Sequence, residues 1–186
     1  MKLVAAFAVT LAATVGTARA EDHCLVNAVI GGKSVVMKNC AAAVYDDKGL
    51  TLFFSESPIG GDERATFEMN SYPSDTDPDG KPRSMMHFAF CPGGGKAQAN
   101  AAAVKSVELS MSHAGSVMLQ RQWVFELPKD AELKIEKLSG TLQPGGRITG
   151  RIAGEKTSDG LKYSWQADFD LALPATNAAA GPGCGD

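Results

Sequence analysis

The sequence predicts an all-β domain, an antiparallel sandwich or barrel of about eight to ten short strands with at most one short helix. Three observations predict it. Apolar and polar residues alternate along most segments, the period of a strand with one buried face. Turn-forming clusters interrupt these segments at short intervals, as in Gly31-Gly32, Asp46-Asp47-Lys48-Gly49, Pro144-Gly145-Gly146 and Ser158-Asp159-Gly160. No series of helical segments alternates with the strands, as a parallel α/β sheet requires.

Taken in order, residues 1–20 read as an export signal. Lys2 precedes an apolar run from Leu3 to Val15, and Ala18 and Ala20 fit a small-residue cleavage site. The run is too short to anchor the chain, and no later segment is long and apolar enough to span a bilayer. Strands are expected at 25–30, 34–38, 42–45, 50–54, 65–69, 85–90, 104–111, 117–127, 132–138, 147–152 and 162–173. The last has the cleanest alternation, with Tyr163, Trp165, Ala167, Phe169, Leu171 and Leu173 on one face. In 117–127 the stripe is broken by Arg121, which calls either for a place at the rim or for a carboxylate across the sheets. Only Lys96 to Ala103 has helical propensity. The Ala/Gly/Pro-rich residues 175–186 form a tail with too little apolar content to order itself.

Cleavage after Ala20 leaves one domain, residues 21–174, plus the tail. Without Lys2 and Arg19, sixteen basic residues face twenty-one acidic ones, a balance of −5. That charge recommends neither nucleic acid nor an anionic membrane as partner. The four cysteines are an even number in a chain addressed to an oxidising compartment, and none are spaced C-x-x-C, so two structural disulfides are expected. The favoured pairing is Cys24–Cys40, across a hairpin turning through Gly31-Gly32-Lys33 with paired positions summing to 64, and Cys91–Cys184, tethering the tail.

Three sets of residues have the chemistry of metal ligands. Asp75, Asp77 and Asp79, followed by Gly80, reproduce the start of a calcium loop, in which alternate carboxylates converge on a hard cation. Met86 stands where such a loop needs a bidentate glutamate, so the alternative is a solvated acidic turn. A mature N-terminus Glu21-Asp22-His23 would offer an amine, two backbone nitrogens and the His23 imidazole to square-planar copper or nickel. Met111 and His113 on one strand face, with Met85 and His87 nearby in another strand, are a candidate copper site. The alternative is methionine as core filler.

Motifs for nucleophilic catalysis are absent: there is no G-x-S-x-G, H-E-x-x-H or S-x-x-K. The glycines of Cys91-Pro92-Gly93-Gly94-Gly95-Lys96-Ala97 lack the spacing and the hydroxyl of a phosphate loop. Trp123, Phe125, Tyr163, Trp165 and Phe169 alternate with polar residues and so are expected in the core. The function expected is that of an exported, non-catalytic binding or accessory module of the periplasm or extracellular space, recognising a protein, glycan, small ligand or metal, with calcium the one cofactor indicated. The alternatives are a metal-binding protein and a small exported enzyme whose site is distributed over the fold.

Overall fold

A computed structural model describes residues 21–45, 49–70, 74–92, 98–114, 116–127 and 129–176. The export signal, Cys184 and residues 177–186 of the tail lie outside the described residues.

The chain folds into two antiparallel sheets packed face to face. In order the strands are β1 (His23–Ile30), β2 (Lys33–Met37), β3 (Asn39–Val44), β4 (Leu50–Ser55), β5 (Met85–Pro92), β6 (Gln98–Asn100), β7 (Val104–His113), β8 (Ser116–Glu126), β9 (Leu133–Thr141), β10 (Arg147–Ser158) and β11 (Leu161–Ala172). One sheet runs β2-β1-β11-β10-β9-β6 and the other β3-β4-β5-β7-β8. The arrangement is a sandwich; each sheet keeps its own two edge strands, so the barrel alternative is excluded, and among the described residues the strands number eleven rather than eight to ten.

The inward faces make the core. From β11 come Tyr163, Trp165, Ala167, Phe169 and Leu171, as the alternation predicts, and from the opposing sheet Leu52, Phe54, Met86, Phe88, Leu109 and Phe125. Gly150 and Gly154 of β10 stand opposite Phe169 and Trp165. A Cβ at either glycine would run into the neighbouring ring, so the missing side chains make room for two aromatics in the sheet interface.

Cys24 and Cys40 are bridged, with their Cα atoms 6.4 Å apart. The pairing is the predicted one but its geometry differs. Gly31 and Gly32 both take positive φ, at 58° and 83°, closing a two-residue turn. The β1–β2 register therefore pairs Ile30 with Lys33 and Val26 with Met37, positions summing to 63. The chain leaves that sheet after Met37, and Cys40 lies in β3. The disulfide thus ties the two sheets together instead of crossing one hairpin. The second predicted bridge ends on Cys184, outside the described residues.

Two local predictions are corrected. Residues 65–69, expected as a strand from Ala65, Phe67 and Met69, lie in a helix, α1 (Gly61–Asn70). Asp62 and Glu63 in its first turn favour the N-terminus of a helix, and Glu63 Oε2 accepts from Gly60 N at 3.4 Å, in the manner of a capping box. Of the helix expected at 96–103, residues 98–103 are instead the short β6 and a single 3-10 turn at Ala101–Ala103, and Lys96 and Ala97 lie outside the described residues. α1 packs on the outer face of the five-stranded sheet, where Phe67 joins Ala41, Ala43, Tyr45 and Phe53 in a second apolar cluster. That cover accounts for β4, every residue of which is buried.

Candidate functional site

α1 lies against β3, and the outer face of β5, β7 and β8 is left with an open groove of about 510 Å³. Strand pairing assembles its floor. Met85 stands opposite Ser112 and His87 opposite Ser110, and Ser110 in turn stands opposite Gln122. Gln122 Nε2 donates to Glu108 Oε1 at 2.7 Å across the β7–β8 pair.

Two buried polar atoms on residues that line the groove have no hydrogen-bond partner: Ser112 Oγ, on a residue 5% exposed, and His87 Nε2. Buried polar groups are normally paired, so such exceptions mark candidate sites. The His87 ring meets the edge of Phe67, with centroids 6.2 Å apart. Burial pushes its pKa down to about 4, so the imidazole is neutral through the physiological range.

This shift has a consequence for stability. The unfolded chain holds a proton on His87 below about pH 6.5, whereas the folded chain takes one up only near pH 4. Between those values the unfolded state binds more protons, so stability is fully present above about pH 6.5 and is lost as the pH falls toward 4, at up to about 1.4 kcal/mol per pH unit. A His87→Leu variant is expected to flatten the stability profile over that window in urea titrations at stepped pH. Equal slopes for the two proteins would refute the assignment.

Arg121 stands at the rim of the groove and also satisfies the second demand made of it. Half-buried on β8, it reaches across to Asp159 in the β10–β11 turn at 2.8 Å and lies 5.8 Å from the centroid of the Tyr163 ring.

The predicted metal ligands are placed as follows. Asp77 Oδ1 accepts from Asp79 N at 3.0 Å and Lys81 N at 2.9 Å, closing a tight turn that Gly80 completes with φ of 77°. Asp75 adds a backbone bond, its carbonyl accepting from Arg83 N at 3.2 Å. His23 opens β1 opposite Asp170, and Asp22 just before it accepts from Ala172 N at 2.7 Å. A planar chelate would have to draw that strand end out of its ladder. Met111 faces the core opposite Met86. Two residues on, His113 is hydrogen-bonded to the buried Ser84, with 3.1 Å between Nδ1 and the hydroxyl oxygen. Among the described residues no three His, Cys, Asp or Glu side chains are grouped to hold a metal ion.

A larger depression, about 800 Å³, lies on the outer face of the six-stranded sheet and includes His23. Its charges cancel within the sheet: Arg151 Nε lies 2.6 Å from Asp168 and 3.9 Å from Glu136, and Arg147 Nε lies 2.6 Å from Asp170. Such exposed pairs read as a solvated strand face. The groove is the stronger candidate. Of its residues the sequence pointed to Met85, His87 and Arg121; Glu108, Ser110, Ser112 and Gln122 were missed, although serines alternating with apolar residues along β7 are the signal that marks its outer face as a polar floor. No protein-family model, no characterised protein and no solved structure matches this chain.

Proposed function

We propose that this chain is an exported, non-catalytic binding module that takes a protein or glycan ligand in the groove over β5, β7 and β8. The observation that carries the reading is the open groove itself, lined by Ser110, Gln120, Gln122 and Glu108, with two buried polar atoms beneath it, Ser112 Oγ and His87 Nε2, left without a partner. Its volume falls within the range of ligand clefts, roughly 300–1,000 Å³. Hydroxyl, amide and carboxylate groups line it, the chemistry that meets hydroxyls or backbone amides. Export is supported by the signal-like leader and by the disulfide, and no described helix is long and apolar enough to cross a membrane.

The alternative of a small enzyme draws less support. The imidazole of His87 is buried and neutral, and His113 is engaged by Ser84, itself fully buried and hence out of reach of a substrate. Nuclear magnetic resonance of the 15N-labelled mature chain, titrated with defined oligosaccharides and with extended peptides, tests the proposal. Saturable shifts centred on Met85, His87, Ser110, Ser112 and Gln122, reduced in Ser112→Ala, are expected. Shifts centred on Arg151 and Asp168, or conversion of the added compound to product, would overturn it.

A further inference from the structure

The groove is bordered by β8, the last strand of its sheet, and among the described residues no strand pairs with the outer edge of β8. An eleven-residue edge is a template for another strand unless something blocks it. Its hydrogen-bonding groups can be assigned from the ladder. Leu127 N donates to Lys105 O at 2.8 Å, so Phe125, Trp123 and Arg121 also turn their N–H and C=O groups toward β7. Those of Gln120, Gln122, Val124 and Glu126 point outward.

The chain itself covers both ends of that outward row. Asp130 takes both groups of Glu126, its Oδ2 accepting from Glu126 N at 2.6 Å and its N donating to Glu126 O at 2.9 Å. Arg121 Nη1 donates to Gln120 O at 2.7 Å. The edge is open between them, at Gln122 and Val124. Val124 is also 63% exposed, against 48% for Val36, the other large apolar side chain at the described surface.

We propose that this open edge is the seat of a two-fold contact between two copies of the chain, with β8 antiparallel to its counterpart and the axis at Trp123. The register is set by the groups left open. Centring on Trp123 places Gln122 opposite Val124 of the second copy, and the two such pairs exchange four backbone hydrogen bonds without disturbing Asp130 or the Gln120 carbonyl. Centring on Arg121 would oppose two guanidinium groups, and centring on Val124 would need the Glu126 N–H that Asp130 already holds. The chosen register is also complementary in side chains. Gln120 meets Glu126, an amide against a carboxylate, and the half-buried Trp123 meets its own copy. The contact is small, so the dimer is weak and concentration-dependent. It would join the two grooves side by side across a ten-stranded sheet.

Sedimentation equilibrium of the mature chain over a wide concentration range tests this, with Val124→Lys, Val124→Pro and the control Val36→Lys. Proline is tolerated at an edge position whose N–H faces solvent, so the monomer should keep its melting temperature. Reversible dimerisation of the wild type and of Val36→Lys is expected, weakened about tenfold or more in both Val124 variants. If the proline variant fails to fold, Val124→Lys decides. A wild type that stays monomeric throughout, a dimer unaffected by Val124→Lys, or one abolished by Val36→Lys would overturn the proposal.

Discussion

Replacing Arg83 with methionine is expected to cost roughly 3–5 kcal/mol of folding stability, the cost of breaking a buried ion pair from one side. Arg83 is fully buried and lies in the excursion between β4 and β5. Its guanidinium pairs with both carboxylate oxygens of Glu63 on α1. It also donates to the Ser74 carbonyl from Nε at 3.2 Å and Nη2 at 2.8 Å, and packs 5.0 Å from the centroid of the Phe53 ring. One side chain thus fastens the helix, the aspartate turn and the face of β4 to one another. Methionine fills comparable space but leaves the Ser74 carbonyl without the guanidinium donors and the Glu63 carboxylate with only the long bond from Gly60 N, in a site where water has little access. Since a domain of this kind has about 5–15 kcal/mol of stability in all, urea unfolding should show most of the fold's margin gone. Lysine will not restore it, because a point charge lacks the planar fork that holds both oxygens of Glu63. The double variant Arg83→Met/Glu63→Met should lose less than the two single variants summed, because removing both partners leaves no lone buried charge. A single variant within about 1 kcal/mol of wild type would show that the clamp is not what holds the excursion.

The same excursion shows where sequence reading stops. Strands whose two faces meet different surroundings declare themselves, as β11 does with its aromatic stripe. α1 does not, because a helix that buries only Phe67 deeply among its described side chains needs little periodicity, and Ala65, Phe67 and Met69 fit a strand equally well. What decides between them is the sheet beneath, whose outer cluster of Ala41, Ala43, Tyr45 and Phe53 needs covering. β4 carried part of that information: five residues from Leu50 to Phe54 are unbroken apart from Thr51, the mark of a strand buried on both sides. The groove was half legible for a related reason. Arg121 stood out because it broke a stripe, and Met85 and His87 because of their chemistry, but Ser112, Ser110 and Gln122 acquire meaning only once β5, β7 and β8 are known to be neighbours. Strand order across a sheet is set by long-range packing, which no local pattern records.

Removing the Cys24–Cys40 bridge by alanine at both positions is expected to cost roughly 3 kcal/mol, the entropy of closing a loop of about sixteen residues in the unfolded chain. For a domain of this size that lowers the melting temperature by about 6–12 °C. The position of the bridge makes the effect global. A disulfide across the β1–β2 hairpin would reinforce a contact that Gly31-Gly32 and five residue pairs already secure. This one joins β1 of one sheet to β3 of the other, at the point where the chain passes between them. Both cysteines belong to the core, each 6% exposed, so alanine keeps the site apolar and confines the change mainly to the cross-link. The helix is anchored at the same place, since Arg64 Nη2 donates to the Cys40 carbonyl at 2.7 Å. That bond uses backbone and survives the substitution, so α1 should stay docked while the whole sandwich unfolds at lower temperature in a single transition. Calorimetry with and without reductant checks the account: reduction should lower the wild-type midpoint at least as far as the double substitution. An oxidised double variant melting with the oxidised wild type would mean that packing between the sheets, and not the cross-link, sets the stability of the fold.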